Sequence, residues 1–493
     1  MWISEMVIFP MMILISAAFG VFVFARAFKL PNKVISIFSA FLLVAFIISL
    51  INLLNSFSQI KSFNTSGMVT DGKIIYDFSV VGAYVLITAA VSSILIFIYS
   101  GEYLSKDHRF YLFYPLVLLA LSSLIGMFFT DDLFHLLLLS ELTTIAASSL
   151  IAFRFENEDS VWAGFKYLVM NSIALMMMLL GVYFYFRSNG QLSIQSIQNT
   201  SDLFSRISAG CFLLGFSLKT GIVPLHTWIP DVYSNAPSVV GGLLSGVVSK
   251  SVLFIFPPIC IGLGLTSVEM GTYLMVFSLA NMLLGSIKAL KQKNLRRFLA
   301  YSSISQTGYL MFILGIGYSY GLTEAFTTSL FMFFAIAVMK TLAFISTGVY
   351  EYTLGTDEID RIRGVNKHAP LATFCFSVSL AGLAGIPLLA GFTGKWMVFS
   401  AALAAKDLFA LICLVVFLIS SVIGLGGYLP MLVNQYQKGK RSHPEKMIFQ
   451  TQTPISAWMS LPLLILSLLV ITLGVFPGPL LSLLGRFSLW MGP

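Results

Sequence analysis

The fold is decided by residues 215–250, which read GFSLKTGIVPLHTWIPDVYSNAPSVVGGLLSGVVSK. Within an otherwise apolar chain, this stretch carries two lysines, a histidine and several prolines. Lys219 and Lys250 each lie inside a long apolar run, where an unpaired ammonium group costs roughly 3–10 kcal/mol or more. Both lysines must therefore face protein or water rather than lipid.

A proline shortly after Lys219 predicts that the helix carrying this lysine is interrupted. Pro224 has no amide to bond the carbonyl of Thr220, so the helix should break there and expose backbone oxygens beside the lysine. Many transporters build an ion site from a broken helix next to an ionisable group. We therefore expect an ion site around Lys219.

The composition places the chain in a membrane. Its 493 residues are 57% hydrophobic and only 10% charged, which is more apolar than soluble domains are. The net charge of +8 is explained by basic loops on one side of the membrane, so we expect no nucleic acid partner. No motif indicates a metal or cofactor, and the cysteines are dispersed in apolar runs: Cys211, Cys260, Cys375 and Cys413.

Apolar runs long enough to cross a bilayer number about fourteen. The predicted fold class is therefore an all-α polytopic membrane protein. The predicted spans are 4–25, 34–55, 79–100, 111–129, 132–152, 162–186, 207–229, 238–264, 269–290, 299–318, 325–349, 371–403, 408–434 and 455–484.

The distribution of positive charge predicts the orientation of these spans. Loops on the cytoplasmic side collect lysine and arginine, and most of the 29 such residues fall after odd-numbered spans. We call this face of the protein the basic side. The pattern predicts a cell-membrane protein with both termini on the outer side.

Four motifs resemble one family of membrane proteins. They are KTGIVPLHTWIPDVYSNAPS followed by LLSGVVSK, SEL around Glu141, LRRFLAYSSISQTGY from Leu295 to Tyr309, and GIPLLAGFTGKW from Gly385 to Trp396. These strings resemble the antiporter-like membrane subunits of Mrp cation/proton antiporters, respiratory complex I and related membrane-bound hydrogenases. The resemblance extends over roughly residues 110–400 and implies proton translocation within a multi-subunit assembly.

An internal repeat is indicated by two similar strings. LKTGIVPLHTW near Lys219 and LAGIPLLAGFTGKW near Lys395 each combine a broken helix with a buried lysine, and they lie in the seventh and twelfth spans, an offset of five. An odd offset inverts the topology, as in an inverted repeat, and the resembled family has two inverted five-helix units. We predict a three-helix region at 1–105, repeats at 106–264 and 265–437, and a final helix at 438–493.

Five buried charges are the candidate residues for ion translocation: Glu141, Lys219, Lys250, Lys340 and Lys395. Burial favours a neutral lysine and a nearby carboxylate favours a charged one, so a moving Glu141 could load and release the proton of Lys219. The resemblance implies that Glu141 is the ion partner of Lys219. Two structural alternatives remain open, namely a Glu141 held neutral by Ser140 or Thr144 and a Lys219 that is permanently paired.

Further residues are accessory candidates. The helix breaks at Pro224 and Pro387, with His226 and Asp231, are expected to line an access route, and Lys166 is expected to extend towards the basic side or to assist. The family's histidines in the eleventh span are replaced here by Met332 and Ile336. A central relay would then depend on Lys340, water and four hydroxyl side chains: Ser302, Ser303, Ser305 and Thr341.

Three functions are compatible with these features. The first is a proton-translocating subunit, with sodium exchange as a further option, of a complex I- or Mrp-related assembly; its length resembles the Mrp D-type subunit or its equivalent in a hydrogenase or sulfane reductase. The second is a stand-alone transporter of a small solute, and the third is a non-conducting scaffold. Without a redox or nucleotide motif, any catalysis would occur on other chains.

Overall fold

The structure is a computed structural model that describes residues 2–59, 79–194, 202–437 and 456–488. These residues are helical apart from their connecting segments and two isolated β-bridges, Asp132–Ser193 and Asn294–Glu358. The first six helices are α1 Trp2–Ala27, α2 Asn32–Gln59, α3 Val80–Tyr103, α4 Phe110–Phe129, α5 Leu133–Ile151 and α6 Glu158–Asn189.

The middle of the chain contains a broken helix followed by a helix with a π-helical segment. The broken pair is α7 Leu203–Thr220 and α8 Trp228–Asn235. The next span runs from Ser238 to Gly262 as α9 Ser238–Leu243, the π segment Leu244–Val248 and α10 Ser249–Gly262. π segments occur mostly as local insertions in α-helices, frequently at functional sites.

The second half repeats the arrangement of long helices with one broken pair. Its helices are α11 Ser267–Leu290, α12 Leu295–Tyr320, α13 Thr323–Leu354, the broken pair α14 Pro370–Ala384 and α15 Ala390–Ala404, α16 Leu408–Asn434, α17 Ala457–Val475 and α18 Gly478–Ser488. A short 3₁₀ turn, Val365–Lys367, precedes α14.

Eleven of the described helices are long and apolar enough to cross a membrane. The other three predicted spans are the two broken pairs and α12, whose polar side chains lower its hydropathy. The all-helical, polytopic fold class is therefore confirmed, with a broken helix in each half. The division into repeats at 106, 265 and 438 remains a prediction.

Both helix breaks begin at a glycine rather than at the proline. Gly221 and Gly385 adopt left-handed backbone angles, with φ of 71° and 88°, and each ends its helix. The next amide bonds back to the last turn, Ile222 to the Ser217 carbonyl at 2.9 Å and Ile386 to the Ala381 carbonyl at 3.0 Å. This is the Schellman arrangement, which favours glycine because a side chain is strained there.

The two interruptions contain Pro224 and Pro387, as expected, but a glycine rather than the proline ends each helix. α7 ends at Thr220 and α14 at Ala384. The glycine satisfies the carbonyls of the last turn before either proline is reached. The prolines lie in the exposed links that follow, where their missing amides cost no helical hydrogen bond.

The centre of the molecule is formed by α13 and the span Ser238–Gly262, which are almost wholly buried. Two hydrogen bonds show that α3 runs parallel to α13. The Tyr84 hydroxyl donates to the Leu330 carbonyl at 3.3 Å, and the Tyr99 hydroxyl, further along α3, donates to the Ile345 carbonyl at 2.9 Å, further along α13. Buried tyrosines normally find such a partner. The fold thus places Lys250 and Lys340 at its centre and the broken helices on either side of them.

Candidate ion-translocation site

Lys219 lies in the last turn of α7, immediately before the first helix break. Its side chain is buried, and Nζ donates to the Thr144 hydroxyl at 3.0 Å and to the Ser140 carbonyl at 3.3 Å, both on α5. The break is held by the Trp228 indole, whose Nε1 donates to the Leu218 carbonyl at 3.0 Å. The lysine is therefore fixed by neutral oxygens.

Glu141 is not in ion-pair contact with Lys219. Among the described residues, no nitrogen–oxygen distance within 4.0 Å joins the two side chains. Glu141 is half-buried; its Oε1 accepts from the Ser172 hydroxyl at 3.1 Å, and its Oε2 has no hydrogen-bond partner in the described part of the chain. In this conformation the two side chains therefore make no direct ion pair, because neighbouring residues 140 and 141 point to different sides of α5. The role of Glu141 as the ion partner of Lys219 stays a prediction.

Lys250 lies just beyond the π segment. Its Nζ donates to the Ser245 carbonyl within that segment, and the Ser245 hydroxyl bonds to the Ser303 hydroxyl on α12. The wider π turn frees backbone groups that a regular α-helix would bond internally. The lysine thereby has a carbonyl partner on its own helix.

Lys340 lies in the middle of α13 and is fully buried. Its Nζ donates to the Ser302 hydroxyl at 2.7 Å and to the Leu299 carbonyl at 2.9 Å, both on α12. Thr341, the next residue, faces the π segment, where its Oγ1 is 3.0 Å from the position that a Cβ on Gly246 would occupy. Lys340 therefore contacts Ser302 of α12 directly. Lys250 is connected to the adjacent Ser303 through Ser245.

Lys395 follows the second helix break, on α15. Its Nζ donates to the Ala384 carbonyl at 2.8 Å, which is the last carbonyl of α14, and to the Ser421 hydroxyl at 2.8 Å. The ammonium group also lies 5.7 Å from the ring centroid of Tyr309, within cation–π range. As at Lys219, a helix break and a neutral hydroxyl together hold the lysine.

A cluster of hydroxyl groups connects the surroundings of Lys340 and Lys395. Ser302, which accepts from Lys340, also bonds to Tyr428. Both residues and Lys395 line a cavity of about 10 Å³, room for about one water molecule. Further hydroxyls surround it, with Ser420 bonded to Ser286, Ser305 and Tyr309 at 3.2, 3.4 and 3.2 Å.

The contact between the Lys219 and Lys250 surroundings is aromatic. Trp228 holds the end of the Lys219 helix, Tyr233 bonds to Ser249 next to Lys250 at 2.5 Å, and the two rings meet edge to face at 6.3 Å. The structure thus brings Lys250, Lys340 and Lys395 together through α12. Glu141 and Lys219 form a separate group on α5 and α7.

The accessory residues fall into two places. His226 lies half-buried in the link between α7 and α8. Asp231 lies on α8 and pairs with Lys166 of α6 and with Arg297 of α12, the latter at 3.3 Å. Lys166 therefore does not extend unpaired towards the basic side, because it forms an ion pair with Asp231.

A network of charged side chains on the basic side was missed by sequence reasoning. Glu351, at the end of α13, pairs with Arg154 at 2.6 Å and Arg296 at 3.6 Å, and accepts from the Tyr103 hydroxyl at 2.8 Å. Arg296 also pairs with Asp357 at 2.7 Å. Two signals in the sequence were available: Glu351 near the end of an apolar run, and the pair Arg296 and Arg297 at the start of α12. They did not reveal the network, because it joins residues that are distant in the sequence.

The fold and its buried charges define a class: a polytopic helical membrane protein with ionisable groups inside its helical core. Residues 130–424 match the family model described as NADH:quinone oxidoreductase/Mrp antiporter, transmembrane. The chain is 29% identical over 419 residues to NADH-quinone oxidoreductase subunit N 2 of Chloroherpeton thalassium, covering 82% of this chain and 80% of the relative. It is 30% identical over 351 residues to subunit N of Geotalea uraniireducens, covering 70% and 72%.

Solved structures show the same fold. A chain of the archaeal membrane-bound sulfane sulfur reductase superposes with a TM-score of 0.84 at 23% identity, covering 99% of this chain and 98% of that one. A chain of the Mrp complex from Dietzia sp. gives 0.83 at 20% identity, covering 99% and 97%. This protein belongs to the NADH:quinone oxidoreductase/Mrp antiporter transmembrane family, as an antiporter-like membrane subunit.

Proposed function

We propose that this chain is the proton-translocating membrane subunit of a multi-subunit assembly related to complex I and Mrp, and that it moves protons through Glu141, Lys219, Lys250, Lys340 and Lys395. The observation that carries the proposal is the kind of hydrogen-bond partner that the four lysines have. Each amine is held by carbonyl or hydroxyl oxygens. Such partners accept from an ammonium group without fixing its charge.

The first step concerns Glu141 and Lys219. A carboxylate that approaches the lysine favours the ammonium form, and one that withdraws favours release of the proton. Glu141 is suited to this role because its Oε2 has no hydrogen-bond partner in the described residues. The conformation described here corresponds to the withdrawn arrangement, in which Ser140 and Thr144 hold the lysine.

The central steps use hydroxyl groups and water. A hydroxyl both accepts and donates a hydrogen bond, so Ser302 and Tyr428 can pass a proton from Lys340 towards the cavity that Lys395 lines. Ser245 and Ser303 give Lys250 a similar connection to α12. Ser305 supports this relay through its hydrogen bond to Ser420. Thr341 supports it from its position facing the π segment at Gly246.

Protons, rather than sodium ions, fit this path. The four lysines carry protons as ammonium groups and would repel a sodium ion when charged. Sodium sites are built from carbonyl and carboxylate oxygens, and Glu141 is the one acidic side chain in the proposed path. We therefore propose proton movement, with sodium exchange as an alternative that the assay below distinguishes.

The access routes and orientation complete the proposal. The exposed links at Pro224 with His226 and at Pro387 are the proposed points of water entry. The basic side faces the cytoplasm and both termini face outward, as the distribution of lysine and arginine favours. Membrane partner subunits are supported by the relatives, which are named as subunits of membrane complexes; a stand-alone transporter or scaffold is the competing function.

The test uses proton flux in proteoliposomes that contain the purified assembly, driven by an imposed membrane potential. Lys219→Ala and Glu141→Gln should each reduce the flux by about a hundredfold, the scale of a lost proton-transfer group. Lys219→Arg should be equally inactive, because arginine keeps its charge but does not release the proton. Exposed Lys291 provides the matched control, Lys291→Ala.

Native gels must first show that every variant assembles. An arginine variant that conducts at the parental rate would show that Lys219 is structural and would overturn the proposal. Flux that requires sodium on the opposite side would replace proton movement by sodium–proton exchange. Full activity of the chain purified alone would contradict the role as a subunit.

A further inference from the structure

Asp231 lies where the two halves of the molecule meet on the basic side. It is in the first turn of α8, the short helix that follows the break after Lys219. Two cations from different elements share its carboxylate: Lys166 of α6 binds Oδ2, and Arg297 of α12 binds Oδ1 at 3.3 Å. We call these three residues the Asp231 clamp.

The neighbouring arginine, Arg296, binds the chain just after α8. Arg296 donates from Nη1 to the Ala236 carbonyl at 3.0 Å, in the link between α8 and α9. Its Nε is bound to Asp357 at 2.7 Å, so this arginine is anchored on the second half of the chain. The first turn of α12 therefore holds α8 at both ends, through Asp231 and through Ala236.

The same helix continues to the central lysines. Ser302 and Ser303 lie about two turns further along α12, where Ser302 accepts from Lys340 and Ser303 bonds to Ser245. A helix moves nearly as a rigid body, so its two ends shift together. Displacement of α8 relative to α12 would therefore change the contacts of both lysine groups.

We infer that Asp231 is a positioning residue that locks the second half of the broken helix to α12 through Arg297, and so couples the Lys219 site to the Lys340 site. This inference rests on the proposed function. The three side chains are 29%, 33% and 45% exposed for Lys166, Asp231 and Arg297. Ion pairs this accessible contribute little to stability, so their loss should change transport rather than assembly.

The variants separate the two arms of the clamp. Arg297→Gln removes the contact between Asp231 and α12, while the contact of Arg296 with Ala236 remains. It should lower the Lys219-dependent flux about five- to tenfold, the scale of a lost coupling element. Arg297→Lys keeps the charge and should retain at least about half of the parental flux. Lys166→Gln breaks only the contact to α6 and should change the flux less than about twofold. Arg361→Gln, an exposed pair with Glu358 on the same side, is the matched control.

A reversed pair distinguishes positioning from proton transfer. Asp231→Arg in the Lys166→Gln background places two arginines opposite each other and should abolish flux. Adding Arg297→Asp restores an ion pair of opposite sense and should recover at least about half the flux of Lys166→Gln. Arginine does not release its proton at accessible pH, so recovery excludes a relay through residue 231.

Assembly is checked by native gel for each variant, and Lys219→Ala is measured in the same preparation. Flux that survives Lys219→Ala would overturn the proposed function. Flux that is lost in Lys219→Ala but unchanged in Arg297→Gln would overturn the clamp alone. Failure of the reversed pair to recover any flux above the Asp231→Arg background would also overturn it, since the pairing would not be what matters.

Discussion

At the scale of single residues, the buried lysines are the groups that the surrounding structure must accommodate. Lys340 is fully buried, and its partners are one carbonyl and one hydroxyl of α12. A charged group with so few partners is costly, while the neutral amine is much less so. Neutral partners of this kind agree with the proposed change of charge on the lysine, whereas a carboxylate partner would fix the charge.

Ser302 is the hydroxyl on which the central lysine most depends. Ser302→Ala removes an acceptor from Lys340 and the partner of Tyr428. Losing one hydrogen bond to a charged group costs about 1.5–3 kcal/mol, so we expect proton flux in proteoliposomes to fall about tenfold or more. Ser346→Ala is the matched control, since the buried Ser346 hydroxyl has no partner among the described residues. Equal flux in the two variants would contradict this role.

At the scale of elements, the two broken helices share one design. Each ends in a left-handed glycine, followed by an isoleucine whose amide closes the last turn, and only then by a proline. In the first break the lysine precedes the glycine; in the second it follows, on α15. A local backbone motif thus produces both lysine sites, while the lysine enters each from a different side.

Gly221 should therefore be more important for the first break than Pro224. Gly221→Ala forces a side chain into a φ of 71°, and its Cβ would lie 2.1 Å from Ile229 Cδ1. We expect a loss of about 1–3 kcal/mol in stability, measured by thermal unfolding of the purified assembly, with a loss of flux. Pro224→Ala should have a small effect, because the helix already ends at Thr220.

Gly210→Ala is the control for this experiment. It lies in the same helix, α7, and a Cβ there would meet nothing within 4 Å, so stability should be unchanged or slightly improved. If Pro224→Ala were the damaging substitution and Gly221→Ala neutral, the proline would set the break after all.

At the scale of the whole molecule, the charged network around Glu351 ties distant parts of the chain together on the basic side. Glu351 of α13 contacts Arg154 between α5 and α6, Arg296 of α12, Tyr103 of α3 and Ser238 of α9. Arg154 also pairs with Asp107 at 3.3 Å. These contacts connect α3, the link between α5 and α6, α9, α12 and α13.

Glu351→Gln should accordingly destabilise the whole chain. It leaves Arg154 and Arg296 without the carboxylate they share, although Asp107 and Asp357 remain, so we expect a loss of about 1.5–3 kcal/mol. Thermal unfolding and the yield of assembled complex measure this. Glu358→Gln removes an exposed pair with Arg361 and should change stability by less than about 1 kcal/mol. Similar losses of stability in both variants would show that the network around Glu351 stabilises the chain no more than an exposed ion pair does.

The predicted orientation can be measured with cysteine labelling in intact cells. A cysteine replacing Lys406, in the link between α15 and α16, should react with a membrane-impermeant maleimide from outside. One replacing Lys367, on the basic side, should react only after permeabilisation, because loops rich in lysine and arginine stay in the cytoplasm. The reverse pattern would invert the proposed topology.

The sequence by itself determined the class of fold and the identity of the buried charges. Long apolar runs have no alternative to helices in lipid, so the spans were predictable, and Lys219, Lys250, Lys340 and Lys395 stood out because charge there is costly. It also predicted that two helices break. The breaks include Pro224 and Pro387 as predicted, but the residues that end the two helices, Gly221 and Gly385, were not identified.

Only the tertiary structure decided which groups meet. The separation of Glu141 from Lys219, the serines of α12 that receive Lys340 and Ser245, and the partners of Asp231 and Glu351 all depend on how helices rotate against one another. Helices in a membrane are apolar on several faces, so hydrophobic periodicity does not fix their rotation. Packing of small residues such as Gly246 against α13 fixes it instead, and that information lies between segments far apart in the chain.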